Sequence, residues 1–209
     1  MIDVKKALSN LAKSRPIFHS EADFQHALAW EIQQQQKLCS LRLEFKPAHL
    51  DNRIYLDMWI TDESHNLAIE LKYKTRSAHV NYGGETFDLQ SHSAQDISRY
   101  DFLKDVQRLE QVVHRMPNIT GYAILLTNDS LYWKSPTKPN MIDADFRLYE
   151  NRIVSGEMTW AKEASFGTTK KREHPIILRG NYSVSWCDYS TIADESCGQF
   201  RYLLLRVDK

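Results

Sequence analysis

The sequence lacks the features that mark several large classes of protein. Its 209 residues include only three cysteines, Cys39, Cys187 and Cys197, and no Cys-x-x-Cys pair. The odd number and wide spacing argue against a disulfide framework and a zinc knuckle, and they predict free thiols in a reducing compartment. No apolar run approaches the roughly 20 residues that cross a bilayer, and the N-terminus has no apolar signal core. We therefore expect a cytoplasmic protein without a membrane partner.

An excess of charge of one sign is also absent. The chain has 27 Lys and Arg residues against 27 Asp and Glu residues, and its sequence pI is about 7.1. A whole-chain basic signature of nucleic-acid binding is therefore missing, although a local basic patch can sit on a neutral protein. The eight histidines show no metal-binding spacing, and no Gly-x-Ser-x-Gly, P-loop or Gly-x-Gly-x-x-Gly motif occurs. Serine hydrolases and nucleotide-driven motors are thereby disfavoured.

Hydrophobic periodicity predicts a single α/β domain over residues 1–209. We expect its core at about residues 20–127 and a C-terminal elaboration at about residues 128–209. The expected elements are a helix at 3–13, a helix from Ser20, strands at 41–45, 53–61 and 66–75, a helix at 94–116, a strand at 119–127, a short helix at 143–150, and strands at 182–189 and 200–207. The core order is then helix, three strands, helix, strand, and the C-terminal strands extend the sheet.

Short local patterns mark the boundaries of these elements. Ser20 with Asp23, and Ser93 with Asp96, each form a capping-box pattern at a predicted helix start. Residues 76–92 contain a glycine pair and several polar side chains, and we expect them to be irregular. A polar loop directly after the third strand either reaches over a substrate groove or is an ordinary connector.

The strands at 53–61 and 66–75 flank a polar turn, so their register can be derived by counting. A symmetric hairpin about that turn places apolar residues opposite each other on one face, as a sheet with one buried side requires. These apolar pairs are Leu56–Leu71, Met58–Ile69 and Ile60–Leu67. On the other face Asp57 lies opposite Glu70, and Lys72, two residues beyond Glu70, points the same way.

Two carboxylates and one ammonium group are thus predicted to converge. Like charges directly opposite each other destabilise a sheet unless something compensates them. A divalent cation between Asp57 and Glu70 would do so, and hard oxygen ligands favour Mg²⁺, with Mn²⁺ as the alternative. Lys72 could orient or deprotonate a metal-bound water and offset charge on a phosphate, as phosphodiester hydrolysis requires. The competing interpretation is a solvated charged face, against which the apolar neighbours of both acids argue.

The spacing of these residues resembles the signature of the PD-(D/E)xK nuclease superfamily. Asp57 is followed thirteen residues later by Glu70-Leu71-Lys72 on the next strand. The predicted element order is also similar to that superfamily's α-β-β-β-α-β core, a mixed central sheet flanked by helices, as in restriction endonucleases. One position departs from the signature, because Leu56 and not proline precedes Asp57.

The resemblance implies a role for each residue. Asp57 and Glu70 would hold the metal together with the Leu71 carbonyl, and Lys72 would be the catalytic lysine. Many members add a carboxylate from the first core helix, which corresponds to Glu21. The alternative for Glu21 is an acid at a helix start, where the macrodipole favours it.

Two residues near the start of the long predicted helix are further candidates. Gln95 or Arg99 could support the lysine or a substrate phosphate, because this helix flanks the active site in the superfamily. The alternative is a solvated helix face with ion pairs between successive turns, formed by acids such as Asp101 and Asp105 and bases such as Arg108.

Two more candidates lie in the C-terminal part. Lys170, Lys171 and Arg172 form a basic tip that either contacts phosphates or is simply solvated. Trp133, close to lysines, either stacks on an unpaired nucleotide or packs in the core.

The favoured hypothesis is a Mg²⁺-dependent nuclease with a nucleic-acid partner, DNA in the first instance. A duplex cutter would often need two active sites, so a homodimer is one expectation, and a protein partner stays open. A second hypothesis is a non-catalytic interaction or nucleic-acid-binding module on the same scaffold. A third is an unrelated α/β enzyme in which the hairpin charges are structural.

Overall fold

The computed structural model describes residues 2–47, 55–63, 65–192 and 196–209, and these form a mixed α/β protein. The helices are α1 (Val4–Ser14), α2 (Glu21–Gln35), α3 (Gln95–Arg115) and the single turn α4 (Phe166–Thr169), with a 3₁₀ turn at Ala144–Phe146. The strands are β1 (Ser40–Phe45), β2 (Leu56–Asp62), β3 (His65–Lys74), β4 (Ala78–Tyr82), β5 (Glu85–Leu89), β6 (Ile119–Thr127), β7 (Ile153–Met158), β8 (Ile176–Ser183), β9 (Trp186–Thr191) and β10 (Gln199–Val207).

A six-stranded mixed sheet organises the domain, in the order β1-β2-β3-β6-β10-β9. β3 and β6 are parallel, and the other neighbouring pairs described in this sheet are antiparallel. A parallel pair needs a crossover connection, and α3 provides it between β3 and β6. The predicted order of helix, three strands, helix and strand is confirmed except for the hairpin β4–β5, which lies between β3 and α3. β10 and β9 extend the sheet as expected.

Helices cover both faces of the sheet. α1 and α2 pack on one face, where β3 contributes Leu67, Ile69, Leu71 and Tyr73. α3 packs on the other face, together with the β7–β8 hairpin, and there β3 contributes Ala68. Since residues of a strand alternate between faces, Glu70 and Lys72 of β3 are directed to the α3 side. The charged residues of the hairpin are thus placed under a helix.

One predicted helix cap is confirmed and the other is wrong. Ser20 Oγ accepts the Asp23 backbone N–H at 3.1 Å and caps α2. The N-cap of α3 is Ala94, which has no side-chain capping bond. Asp96 instead accepts the N–H of the next residue, Ile97, so Ser93 has no reciprocal partner for a capping box.

Residues 76–92 are more ordered than their sequence predicts. They contain the antiparallel hairpin β4–β5, joined by a tight turn at Gly83-Gly84. Both glycines have positive φ, +60° and +84°, which suits the two central positions of a hairpin turn. Val80 of β4 and Phe87 of β5 are buried in the hydrophobic cluster on the α2 side of the sheet. The prediction of an irregular connector is therefore wrong.

The C-terminal predictions need two further corrections. The strand expected at 182–189 is divided, because β8 pairs with β7 while β9 joins the main sheet through β10. The helix expected at 143–150 is only a 3₁₀ turn, in which the Ala144 carbonyl accepts the Arg147 N–H at 3.4 Å. The Arg152 guanidinium also donates to the carbonyls of Ala144 and Asp145. The strand predicted at 200–207 is confirmed.

Two general expectations can be compared with the described residues. Cys39, Cys187 and Cys197 are free thiols, as expected. Among the described helices, none combines the length and apolarity that crossing a membrane would take.

Candidate active site

The register predicted for the hairpin is confirmed where the strands pair. Met58 lies opposite Ile69, and Ile60 lies opposite Leu67. The predicted start of the first strand lies outside the described residues, which resume at residue 55. The β2–β3 ladder ends at Met58, so Asp57 and Glu70 do not form a ladder pair as predicted. The two acids come together in a different way.

Asp57 points along the sheet towards β3. Its Oδ2 accepts the backbone N–H of Leu71 at 2.7 Å, in a position that a β2 carbonyl would occupy if the ladder continued. The neighbouring strand changes face at the same level, because Glu44 has a φ of +48°. Phe45 consequently stacks on Trp59 on the α3 side, at a centroid distance of 4.9 Å.

Leu56 takes part in the same change of face. It pairs with Phe45 and packs into the hydrophobic cluster on the α3 side, while Met58 packs on the α2 side. The prediction that both residues share one apolar face is therefore wrong. The physical reason is the irregular backbone around Glu44, which interrupts the alternation of the β1–β2 pair.

A second carboxylate reaches the same edge of β3. Glu21, the first residue of α2, accepts the Tyr73 N–H at 2.8 Å, and Lys74 Nζ lies 3.4 Å from the same oxygen. The N–H groups of Leu71 and Tyr73 are two residues apart and so point to the same edge. Asp57 and Glu21 thus replace strand β2 as acceptors there. This places Glu21 beside the predicted site, although it also occupies a helix start.

Helix α3 adds two charged residues whose spacing along the sequence is typical of a solvated face. Arg108 Nη1 lies 2.7 Å from Glu70 Oε1, and Arg108 Nη2 lies 3.2 Å from Asp105 Oδ1. Asp105 Oδ2 lies 2.9 Å from Lys72 Nζ. The prediction of a solvated face is wrong at Asp105 and Arg108, because they face the sheet. We call Asp57, Glu70, Lys72, Asp105 and Arg108 the ionic cluster.

A sequence signal for Asp105 exists. It lies three residues after Phe102 and four before Leu109, both of which are buried. Residues three and four apart share a helix face. An acid within an apolar stripe is therefore a candidate for a buried partner of a cation.

Burial and like charge shift the pKa values of the acids in this cluster. The pKa of Glu70 is raised well above its usual value, first by burial and then by Asp105, while Arg108 opposes the shift. Burial also raises the pKa of Asp57, against the effects of the Leu71 N–H and of Lys72. Glu70 is only 2% exposed. Both carboxylates therefore lack full compensation of their negative charge.

Lys72 is held in its charged form. Burial alone would lower the pKa of its ammonium group, but the carboxylates of Asp105 and Asp57 outweigh that effect and raise it. Its Nζ also donates to the Leu71 carbonyl at 3.3 Å. The ammonium group therefore lies among the oxygens that the metal hypothesis names as ligands.

The donor chemistry fits a hard divalent cation. Asp57, Glu70 and the Leu71 carbonyl offer only oxygen atoms, which Mg²⁺ prefers. The cluster holds three carboxyl groups and the two cationic side chains of Lys72 and Arg108, so the acids outnumber the cations by one. Across the described ranges, no group of three or more His, Cys, Asp or Glu side chains is arranged to hold a metal. A metal site here would need the backbone carbonyl as well as side chains.

Gln25 of α2, which no sequence pattern marks as a candidate, supports the site from the opposite face of the sheet. Its Nε2 donates to the Asp57 backbone carbonyl at 2.7 Å and to Glu44 Oε1 at 3.1 Å. It is buried within a helix that presents mostly apolar residues to the sheet. A buried glutamine bonded to two neighbouring strands fixes their relative position, and with it the position of Asp57.

Gln95 and Arg99 do not join the ionic cluster. Gln95 donates to Asp129 at 2.8 Å. Arg99 is 2% exposed and pairs with Asp143 at 2.7 Å, and it also donates to the Leu131 carbonyl. Arg99 is therefore committed to a buried ion pair and is not free to contact a phosphate.

Trp133 belongs to the hydrophobic core. It is 8% exposed, and its ring lies 5.8 Å from that of Trp186, with the Arg201 guanidinium 5.6 Å from the Trp133 centroid. These contacts favour packing, and they leave no free ring face for stacking on a nucleotide. The basic tip differs, because Lys170 and Lys171 are exposed.

Comparisons with known proteins do not identify a relative. No protein-family model matches the chain, and neither the curated proteins nor the solved structures give a significant match.

Proposed function

We propose that this protein is a metal-dependent nuclease that hydrolyses phosphodiester bonds, with DNA as the first candidate substrate. The observation that carries the proposal is that Asp57, Glu70 and Lys72 lie together beside β3, next to two charged residues of α3. Carboxylates and a lysine drawn from separate elements into one partly buried place suit a hard cation and an anionic substrate.

The order of elements supports a restriction-endonuclease-like core. Apart from the β4–β5 hairpin inserted before α3, the elements α2, β1, β2, β3, α3 and β6 follow the order α-β-β-β-α-β, with β3 and β6 parallel. We assign the chain to the PD-(D/E)xK type on this order together with the residues of the site.

Each residue of the site has a distinct role in the proposed reaction. Asp57, Glu70 and the Leu71 carbonyl would hold Mg²⁺ or Mn²⁺, and Glu21 would complete the acidic edge. A bound divalent cation supplies Lewis acidity towards a phosphoryl oxygen and lowers the pKa of bound water. The chain's own residues position the reacting groups around it.

Lys72 contributes a fixed positive charge. Its ammonium group, held by Asp105, donates to a phosphoryl oxygen or to the attacking water and offsets the charge that develops on the phosphate. Arg108 is 27% exposed, so it can also extend towards the substrate. Asp105 acts as a positioning residue, because it touches Lys72 and Arg108 and not the phosphate.

Cleavage assays with single variants test the proposal. Purified protein is incubated with plasmid, linear duplex and single-stranded DNA in Mg²⁺ or Mn²⁺. We expect Asp57→Asn, Glu70→Gln and Lys72→Ala each to reduce cleavage at least about a hundredfold, as loss of a group that stabilises developing charge does. Circular dichroism verifies the fold of each variant. Unchanged cleavage by folded Glu70→Gln protein would refute the proposal.

A non-catalytic module on the same scaffold is the second candidate. It is favoured because the acids of the ionic cluster already have partners within the protein. Glu70 forms an ion pair with Arg108, and Asp57 accepts the Leu71 N–H. This candidate predicts neither cleavage nor metal binding. Calorimetric binding of Mn²⁺ that is lost in Asp57→Asn contradicts it.

A further inference from the structure

The tip that carries Lys170, Lys171 and Arg172 is anchored on α3, the helix that supplies Asp105 and Arg108 to the ionic cluster. The Arg172 guanidinium binds the Asp101 carboxylate with two hydrogen bonds of 2.7 Å. Asp101 and Asp105 are four residues apart on α3 and so share a face, separated by about one helical turn. The tip, defined as residues 165–172, is therefore anchored about one turn beyond the residue that pairs with Lys72.

The inner side of the tip is fixed by specific contacts. Ser165 Oγ accepts the Thr168 N–H and caps the turn α4. Trp160 Nε1 donates to the Arg172 carbonyl at 2.9 Å, and the Trp160 ring stacks on Tyr100 of α3. Lys171 has a φ of +67°, and its N–H is held by Glu173. These bonds give the segment a defined conformation on α3.

The outer side presents an aromatic ring and two cations to solvent. Phe166 is 73% exposed, although other aromatic residues of this part of the domain, such as Trp160, are packed. Lys170 and Lys171 are exposed beside it, and Lys171 lies near the acid Glu173. Residues 159–175 contain four Lys and Arg residues and two Asp and Glu residues, in a chain whose charges balance. Local positive charge with an exposed ring is complementary to an unpaired nucleotide.

We propose that the tip binds a single-stranded segment of DNA next to the scissile phosphate. Phe166 stacks on an unpaired base, while Lys170 and Lys171 contact the flanking phosphates. Arg172 does not contact DNA but positions the tip through Asp101. This inference rests on the proposed nuclease function for the location of the scissile phosphate, and it names the form of the substrate.

DNA binding without cleavage tests the proposal. Fluorescence anisotropy is measured with a labelled single strand of about 12 nucleotides, within the usual site size, and with a blunt duplex of the same sequence. EDTA is present, so that divalent cations are removed. Phe166→Ala should weaken single-strand binding about tenfold, in line with the loss of one stacked base, and should change duplex binding less than about twofold.

Charge variants and matched controls separate the two contributions. Lys170→Ala/Lys171→Ala should reduce the slope of log affinity against log salt by about 1.4, as expected for two single-strand phosphate contacts. Trp30→Ala removes an exposed aromatic ring from α2, on the opposite face of the sheet, and should leave binding unchanged. Lys5→Ala/Lys6→Ala on α1 is the matched charge control.

The outcomes are decisive and are distinct from those of the cleavage assay. Unchanged single-strand affinity in Phe166→Ala overturns the proposal, as does an equal loss on the blunt duplex or a wild-type protein that binds neither DNA. Phe166-dependent binding without any cleavage in Mg²⁺ or Mn²⁺ leaves the tip assignment standing and refutes the nuclease function.

Discussion

The guanidinium of Arg108 pairs with Glu70, at 2.7 Å between Nη1 and Oε1. Glu70 is almost fully buried, whereas the arginine approaches from the edge of α3 and keeps about a quarter of its side chain in solvent. Arg108 therefore supplies positive charge at the place where the metal hypothesis puts a cation. Arginine and metal ion are then alternative partners for the same carboxylate.

Removing Arg108 should make stability depend on a divalent cation. Arg108→Ala leaves Glu70 buried without its partner, and loss of one member of a buried pair costs about 3 kcal/mol of unfolding free energy. We expect Mn²⁺ to restore part of that loss, because it compensates the same charge. Urea unfolding with and without Mn²⁺ measures the effect.

A double variant provides the control for this prediction. Arg108→Ala/Glu70→Gln removes both charges, so it should be less destabilised than Arg108→Ala alone and should not respond to Mn²⁺. If Arg108→Ala were as stable as the wild type, the pair would contribute nothing to stability. If Mn²⁺ stabilised the double variant equally, its binding site would lie elsewhere.

Gln25 should be a positioning residue for Asp57. Gln25→Leu removes the hydrogen bonds to the Asp57 carbonyl and to the exposed Glu44, and loss of the part-buried bond to the carbonyl costs about 1–2 kcal/mol. Because the Asp57 backbone then loses a fixed point, cleavage should fall more than DNA binding does. Urea unfolding gives the stability, and the split between kcat and KM gives the catalytic effect.

Gln35→Leu is the matched control, since Gln35 lies exposed on the same helix. It should alter neither quantity beyond experimental scatter. A kcat for Gln25→Leu equal to that of the wild type would assign Gln25 a purely structural role.

The predictable part of the site was its register. Alternation of apolar residues along two strands was enough to place Met58 opposite Ile69 and to direct Glu70 and Lys72 away from the α2 face. Alternation could not predict that the Asp57 carboxylate, and not a β2 carbonyl, accepts the Leu71 N–H. This arrangement depends on the positive φ of Glu44, and a glutamate gives no signal for that conformation, as a glycine would have done.

The contribution of α3 was missed for a different reason. Asp101, Asp105 and Arg108 have the spacing of a solvated helix face with ion pairs between successive turns. Spacing alone does not show which other element packs on that face. Tertiary packing turned that face towards β3. The β7–β8 hairpin escaped prediction because its strands pair with each other outside the main sheet, and β7 is mostly exposed along its length.

Gly121 of β6 should not tolerate a side chain. A Cβ added there would lie 3.1 Å from Val207 Cβ and 3.2 Å from Leu109 Cβ, where α3 packs on the sheet. Since both contacts involve main-chain-proximal atoms, Gly121→Ala should destabilise the protein by about 1–3 kcal/mol. Thermal unfolding measures it.

Gly167→Ala is the control for the same chemical change. Its added Cβ would meet only Ser165 Oγ at 3.8 Å, an ordinary contact, and the melting temperature should stay the same or rise slightly. Equal melting temperatures for Gly121→Ala and the wild type would mean that α3 does not pack against β6 this closely.

The three thiols should differ in their rates of alkylation. Burial and the nearby charge of Asp62 raise the pKa of the Cys39 thiol, whereas Cys187 and Cys197 are only half-buried. Alkylation requires the thiolate and access to it, so at about pH 7.5 iodoacetamide should modify Cys39 most slowly. Mass spectrometry of peptides taken over time gives the three rates. In urea the chain is unfolded, and the three alkylation rates should become similar. That result would show that the fold causes the slow alkylation of Cys39 in the native protein. Rapid native modification of Cys39 would contradict its burial in the hydrophobic cluster that α2 shares with the sheet.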